Sequence, residues 1–328
     1  MHTFRSENLT AAISTFKSDG EIPTLNEQHW DGGQCRIFKV DFSNRESWSI
    51  RIPIHVHSEC QDTIIDILQD EQCILHELSR IGFPWAPKYH GSSLTFDNVV
   101  GFPFMALSWI EGSPLVWTPT HPPRPVRDKV LGQVAEIQLA LIERTQESRG
   151  TATQYFSHLL ASRLSRVRNG NLPGITVQNC LDQEKLLYQV LCPELEHAPF
   201  AIDHGDLAPL NIIVDSRHNV TGIIDWGFAS KVPVQLAGRL PRFLQLSKLV
   251  LPPNAALEED RKAYVAALES RPSHVSSWML LGLSSQDVDF RHCVLESAIS
   301  KGMHRSLARL GWNLPYEQAQ RNGGKGLG

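Results

Sequence analysis

"HGDLAPLNIIVDSRHNVTGIIDWG", residues 204–227, is the stretch on which the reading of this chain turns. His204, Asp206 and Asn211 share a segment interrupted by Pro209, so they sit on a loop and not on a helix. The apolar runs "NIIV" (211–214) and "VTGII" (220–224) flank the turn "DSRHN" and read as a β-hairpin. A tight hairpin sets the start of one strand beside the end of its partner. Asn211 and Asp225 are therefore expected to be neighbours despite their separation in sequence. An amide oxygen and a carboxylate are hard donors, and magnesium takes such ligands while filling its other positions with water and phosphate oxygens. Asp206, off the metal but nearby, is suited to orient a hydroxyl group and accept its proton. His204 reads as a residue that holds the loop by hydrogen bonds.

Working outward, "QCRIFKVDF" (34–42) alternates, with Phe38, Val40 and Phe42 on one face, and "SWSIRIPI" (47–54) does the same with Trp48, Ile50, Ile52 and Ile54. The polar "SNRE" between them predicts a second hairpin, whose other face carries Ser49 and Arg51. Over 62–82 the period changes to that of a helix, with Ile64, Ile67 or Leu68, Ile74 or Leu75, and Leu78 in one stripe and Gly82 as its stop. Residues 87–112 read as two strands about an Asp97-Asn98 turn, ending in "WIEGSP". Residues 1–30 give no clear pattern beyond one short helix. After a Pro-rich connector (118–125), helices are expected at 127–145, 155–167, 183–192, 258–270 and 292–310, and the tail 322–328 reads as disordered. Strands with one helix come first and helices follow, so the chain is expected to form two lobes about a cleft, joined near 109–113.

At 328 residues the chain is long for one core and sufficient for two lobes. Lys and Arg number 31 against 35 Asp and Glu, a net charge of −4, which argues against a nucleic-acid partner. The six cysteines form no Cys-x-x-Cys pair, so they read as scattered thiols of a reducing compartment and not as a zinc or disulfide framework. The start of the chain lacks the pattern of a secretory signal, and no apolar run is long enough to span a membrane. The protein is expected to be cytoplasmic, with its oligomeric state left open.

The spacing from Asp206 and Leu207 through Asn211 to Asp225-Trp226-Gly227 is that of the kinase catalytic loop and the Asp-x-Gly that follows it. With "HGD" where protein kinases have His-Arg-Asp, "IDW" where they have Asp-Phe-Gly, and "GFASKVPVQLAGRLP" (227–241) beyond, the sequence resembles the aminoglycoside phosphotransferase family, its fungal members in particular. The resemblance runs over 31–245 and is strongest at 204–227. It implies an α+β, bilobal, protein-kinase-like fold. An N-terminal nucleotide-binding lobe (1–112) would hold an antiparallel sheet plus a helix. A C-terminal catalytic and substrate lobe (113–328) would be mostly helical.

Carried over by position, the resemblance implies that Asp206 is the catalytic base and that Asn211 and Asp225 are the magnesium ligands. Arg51 falls where the family usually has a strand lysine. This is a departure, but arginine keeps the charge and can grip phosphate with two nitrogens. Glu71 is the implied helix partner of that cation, with Asp70 and Glu77 as runners-up. Gly32 and Gly33 would lie in the loop over the phosphates, where backbone N–H groups approach an anion. Backbone groups of "SWIEG" (108–112), around Ile110, would meet the nucleotide base. The implied reaction moves the γ-phosphate of ATP or GTP to a hydroxyl of a small molecule with magnesium. The partners are thus a nucleoside triphosphate and a hydroxylated substrate, with no nucleic acid and no membrane.

Two other readings remain at this level. A protein kinase is disfavoured because no activation segment ending in Ala-Pro-Glu follows Asp225. An inactive nucleotide-binding scaffold is supported by Arg51 alone and opposed by the intact Asp206, Asn211 and Asp225. The acceptor is not legible. "LEED" (257–260) supplies three carboxylates and reads as a solvated helix start, and Trp278 and Trp312 read as core material as readily as part of an aromatic cage.

Overall fold

The two alternating runs become β2 (Arg36–Asp41) and β3 (Ser47–Ile52), paired antiparallel with Phe38 opposite Ile50. The computed structural model describes residues 3–55, 60–246, 248–284 and 288–314, and the tail 322–328 lies outside these. The chain divides into two compact units, residues 1–115 with 210–229 and residues 116–209 with 230–328.

The first unit is built on a five-stranded antiparallel sheet in the order β1-β2-β3-β5-β4, with β1 at Thr24–Asp31, β4 at Tyr89–Ser93 and β5 at Phe104–Ser108. Phe38, Val40, Trp48, Ile50, Ile52 and Phe104 form one core with Leu9 and Ile13 of α1 (Leu9–Ser14), so the N-terminal helix covers that face of the sheet. The alternation of β3 leaves Ser49 and Arg51 on the other face. Helix α2 (Gln61–Arg80) buries Ile64 and Leu78 as expected and, of the open pairs, Leu68 and Leu75 in place of Ile67 and Ile74, and Glu71 lies in the same buried stripe. The turn between β4 and β5 is held by Asn98, whose side-chain Oδ1 accepts the N–H groups of Val100 and Gly101.

A small sheet completes this unit. In it β6 (Ser113–Pro114) pairs with β8 (Ile212–Val214), which pairs with β9 (Val220–Ile223). The β8–β9 turn is closed by Asp215, whose carboxylate accepts from the backbone of Arg217 and Asn219. The expected hairpin about "DSRHN" is thus present. Glycine is needed at position 222, because a Cβ there would stand 2.5 Å from Ile110 Cδ1 and 3.2 Å from the Trp85 carbonyl.

The second unit is helical apart from β7 (Phe200–Asp203) and β10 (Ser230–Pro233), which pair antiparallel. Its helices are α3 (Arg124–Arg144), α4 (Ala152–Arg168), α5 (Val177–Val190), α6 (Val234–Ala237), α7 (Ala255–Glu269), α8 (His274–Leu283), α9 (Val288–Ile299) and α10 (Lys301–Arg309). Helix α3 starts inside the expected connector, since Pro125 falls in its first turn, where a missing N–H costs no hydrogen bond. Reciprocal capping boxes start α4 at Thr151, α5 at Thr176 and α8 at Ser273. The helical run 292–310 is two helices, because Ser300 accepts the Met303 N–H and opens α10. "LEED" is not wholly a solvated helix start. Glu258 and Glu259 are exposed, but Asp260 is buried and bonded to Arg127 and Arg124, so it clamps α7 to α3. Trp312 is buried edge-on to His304, while Trp278 on α8 is half-buried. Among the described residues no helix is long and apolar enough to cross a membrane, and all six cysteines are free thiols.

Burial holds two imidazoles down at about 4. His90 stacks on Trp48 at 3.9 Å in the first unit, and His304 is bonded to Gln183 in the second. Below pH 6.5 the unfolded chain takes up protons that these folded rings refuse until about pH 4, so stability falls on acidification across that window. The thermal midpoint is expected to drop by about 5 °C between pH 7.5 and 4.5, and His90→Phe to flatten part of the slope. Calorimetry over this range tests it, since ordinary carboxylates are still largely ionised at its upper end.

Candidate functional site

Arg51 is the centre of a buried charge cluster in the first unit. Its Nε stands 3.2 Å from Glu71 Oε2, and its Nη2 donates to Asp225 Oδ1 at 2.8 Å. The strand supplies Arg51 because its partners on either side, Ile50 and Ile52, point into the core. The helix supplies Glu71, whose side chain is 1% exposed. Asp70, the preceding residue, is exposed, and Glu77 is half-buried nearly two turns on. Of the three helix carboxylates weighed from the sequence, Glu71 is the one at Arg51.

Burial works against the Arg51 charge, but the Glu71 carboxylate, Cys35 and Asp225 outweigh it and hold the guanidinium above its ordinary range. The same burial pushes the Glu71 carboxyl up, against the pull of Arg51 and of a hydrogen bond from the Trp226 backbone. Trp226 is itself buried, its indole N–H donating to the Ile223 carbonyl and its ring edge-on to Phe83. Gly227 then passes so close that a Cβ would lie 3.3 Å from Arg51 Nη2.

Asp225 follows β9 in the left-handed region, with φ 63 and ψ 64. This is an uncommon conformation for a residue other than glycine, and one that aspartate tolerates best. The hairpin does what its spacing implied. The Ile224 N–H donates to the Asn211 carbonyl at 2.9 Å, so the backbone of Asn211 runs beside the residue before Asp225. Asn211 is 9% exposed and Asp225 is half-buried. An amide and a carboxylate oxygen donor at such a pair fit a hard cation that takes only one or two protein ligands. Among the described residues no cluster of three His, Cys, Asp or Glu is arranged for a metal ion.

Gly32 and Gly33 occupy the turn between β1 and β2, where the Gly32 N–H donates to the Cys35 carbonyl at 2.8 Å. Nothing would obstruct a Cβ at Gly33, so this loop has open space beside it. The Cys35 that closes the turn is buried beside Arg51, a neighbour that no sequence pattern indicated. Ile110 lies between β5 and β6 and packs over Gly222.

Asp206 belongs to the second unit, on the loop that follows β7. Its backbone N–H donates to His204 Nδ1 at 3.3 Å, and His204 is 3% exposed, so the histidine holds the loop from within. Gly205 between them has φ 79, a conformation that favours glycine. Arg239 adds a support that sequence reasoning missed. It pairs with Asp203 at 3.1 Å and donates to the Gly205 carbonyl at 3.2 Å. Its only sequence signal was its place within the segment 227–241.

The sequence profile described as "Phosphotransferase enzyme family" matches residues 66–235, more than half of the chain, and the chain belongs to that family. Among curated proteins, no sequence matches it significantly. Solved structures are similar in fold. The streptomycin–ATP ternary complex of APH(2")-IIa superposes with a TM-score of 0.59 at 12% identity, covering 96% of this chain and 98% of that one. An aminoglycoside phosphotransferase candidate from Ralstonia eutropha gives 0.58 at 15% identity, covering 97% and 99%. The GDP complex of aminoglycoside 2'-phosphotransferase-IIIa gives 0.52 at 19% identity, again covering 97% and 99%. The α+β, kinase-like fold expected from the sequence is therefore the fold of this chain.

Proposed function

We propose that the protein is a small-molecule kinase that moves the γ-phosphate of ATP or GTP to a hydroxyl group. The observation that supports this most is the Arg51 cluster, in which a buried cation is fixed by Glu71 and Asp225 on the side of the strand away from the core. A fixed buried cation is what phosphate binding requires, and it needs little reorganisation when charge shifts during transfer. In this reading residues 1–112 form the nucleotide lobe and 113–328 the catalytic and substrate lobe. The Gly32–Gly33 turn lies over the phosphates, with Gly33 offering its backbone N–H while that of Gly32 closes the turn on Cys35, and backbone groups around Ile110 meet the base. Asn211 and Asp225 would hold magnesium, which when bound neutralises phosphate charge. Asp206 aligns the acceptor hydroxyl and takes its proton, steadied by His204. The relatives of known structure were captured with ATP, GDP, streptomycin or gentamicin, which makes a nucleotide and a hydroxylated acceptor the natural pair to try. A cytoplasmic setting agrees with six free thiols.

The test is consumption of ATP and of GTP with magnesium across a panel of hydroxylated metabolites and aminoglycosides, with a protein substrate as control. Transfer to protein alone, or no consumption at all, overturns the reading. For the metal, Asp225→Ala is expected to abolish the magnesium-dependent part of nucleotide affinity, a loss of at least about tenfold. Calorimetric titration with and without magnesium checks it, and equal affinities for the variant and the parent remove Asp225 from the metal site.

A further inference from the structure

The two faces of the five-stranded sheet are covered differently. One is sealed by α1, and the other carries Arg51. Residues directly opposite in an antiparallel pair point to the same side. The register therefore sets Trp30, Ile37, Arg51 and Met105 in one row on this second face. Lys39, Ser49 and Leu107 make the next row, about 7 Å along the strands. Helix α2 packs on this face at β4 and β5, where Met105 and Leu107 are buried. Over β2 and β3 the same face is less covered, and Ile37, Lys39 and Ser49 are half-buried.

An indole pair stands over that stretch. The rings of Trp30 on β1 and Trp109, just beyond β5, lie 5.2 Å apart with a 42° tilt. β2 and β3 lie between their strands in the sheet, so the two side chains reach toward each other across the face. Trp109 is fixed at both ends. Its backbone N–H donates to the Ser47 carbonyl at 2.9 Å, and the Lys39 ammonium stands 5.0 Å from its ring, held in turn by Asp41 and Glu111. Trp30 is fixed through its neighbour. Asp31 accepts from Arg36 through both carboxylate oxygens and pairs with His55, which clamps the end of the β1–β2 hairpin.

Trp30 is nevertheless 37% exposed, on an edge strand whose other residues beyond Leu25 are polar. Strand edges are blunted with charge, not with an indole held open to solvent. This face thus carries a fixed cation in one row and a fixed aromatic plane beside it. A nucleotide has the matching polarity, with anionic phosphates at one end and a planar π-face at the other.

Resting on the phosphotransfer reading, in which Arg51 meets phosphate, we infer that Trp30 is the base-stacking residue of the nucleotide site and sets its preference for purines. Its ring, backed by Trp109, takes the flat face of the base, while backbone groups around Ile110 meet the edge. The side chains of that segment are engaged elsewhere. Ser108 Oγ accepts the Lys88 N–H, Ile110 packs over Gly222, and Glu111 faces Lys39. Selection by the size of the base therefore falls to the stacked ring, and a purine, with more π-surface, gains over a pyrimidine.

The test is calorimetric titration of the full chain, with magnesium, by ATP, GTP, CTP, adenosine and inorganic triphosphate. The parent is expected to bind ATP more tightly than CTP. Trp30→Ala should lose about tenfold or more in affinity for ATP and for adenosine, and nothing for triphosphate, which has no base to stack. The ratio of ATP to CTP affinity should shrink in the same variant. Trp30→Phe keeps an aromatic face and should hold ATP within about threefold of the parent. If Trp30→Ala does not fold, the same losses are read on Trp30→Leu, which keeps apolar bulk and lacks a π-face. Unchanged ATP affinity in Trp30→Ala, beside a parent that binds ATP, overturns the stacking role and leaves the phosphotransfer reading standing. An equal loss for triphosphate overturns it as well, because the disturbance then lies in the phosphate turn and not at the base. A parent that binds neither ATP nor GTP removes the phosphotransfer reading itself, and the base site with it.

Discussion

Asp206→Asn is expected to lower turnover by about 10²- to 10⁴-fold while leaving nucleotide affinity within about twofold. The change is nearly isosteric and removes only the proton acceptor. The loop is held by backbone groups, since the Asp206 N–H donates to His204 and Arg239 holds the Gly205 carbonyl, and an asparagine keeps the shape of the side chain. Loop geometry should therefore survive, and the loss should appear in kcat and not in binding. Rapid-quench measurement of the phosphorylated product, beside a nucleotide titration of the same variant, separates the two. An inactive scaffold would be indifferent to this substitution. Unchanged turnover with the true acceptor would remove Asp206 from the mechanism.

How much of this was readable from the chain follows from where each signal is stored. The hairpin 211–224 and the pairing of β2 with β3 are local patterns, with apolar alternation around a polar turn, and they appear as written. Glu71 fills the gap in the stripe formed by Ile64, Leu68, Leu75 and Leu78, yet it was singled out through the family resemblance and not through that gap. A carboxylate in a buried stripe needs a cation, although only the resemblance named Arg51 as that cation. β1 was invisible for the opposite reason. As the exposed edge strand "TLNEQHWD" it buries almost nothing, so no face had to be apolar. Helix α9 hid its start, four residues before the expected 292, because it is buried on all sides and shows no amphipathic stripe. Arg239 owes its significance to contacts with distant segments, which periodicity does not encode.

Arg51→Met is expected to destabilise the protein by about 3–5 kcal/mol near pH 8, because it leaves the Glu71 carboxylate in an interior with its cation gone. It is also expected to weaken nucleotide binding by about a hundredfold or more. The stability loss carries its own signature. Burial already pushes the Glu71 carboxyl up, and without Arg51 the opposing pull disappears, so the folded variant binds a proton there more readily than the unfolded chain does. Stability of the variant should therefore be retained at low pH and lost as pH rises through the raised value. Arg51→Met combined with Glu71→Gln removes the stranded charge and should recover much of the stability with none of the nucleotide affinity. Arg51→Lys is the informative counterpart. It restores a cation but contacts through one nitrogen, where arginine reaches Glu71 through Nε and Asp225 through Nη2. Nucleotide affinity is expected within about tenfold of the parent, with part of the stability gone. If arginine at this position only staples strand, helix and Asp225 together, the methionine variants will bind nucleotide once they fold. Urea titrations at pH 5 and pH 8, set beside nucleotide titrations of all three variants, decide between a phosphate-binding cation and a structural one.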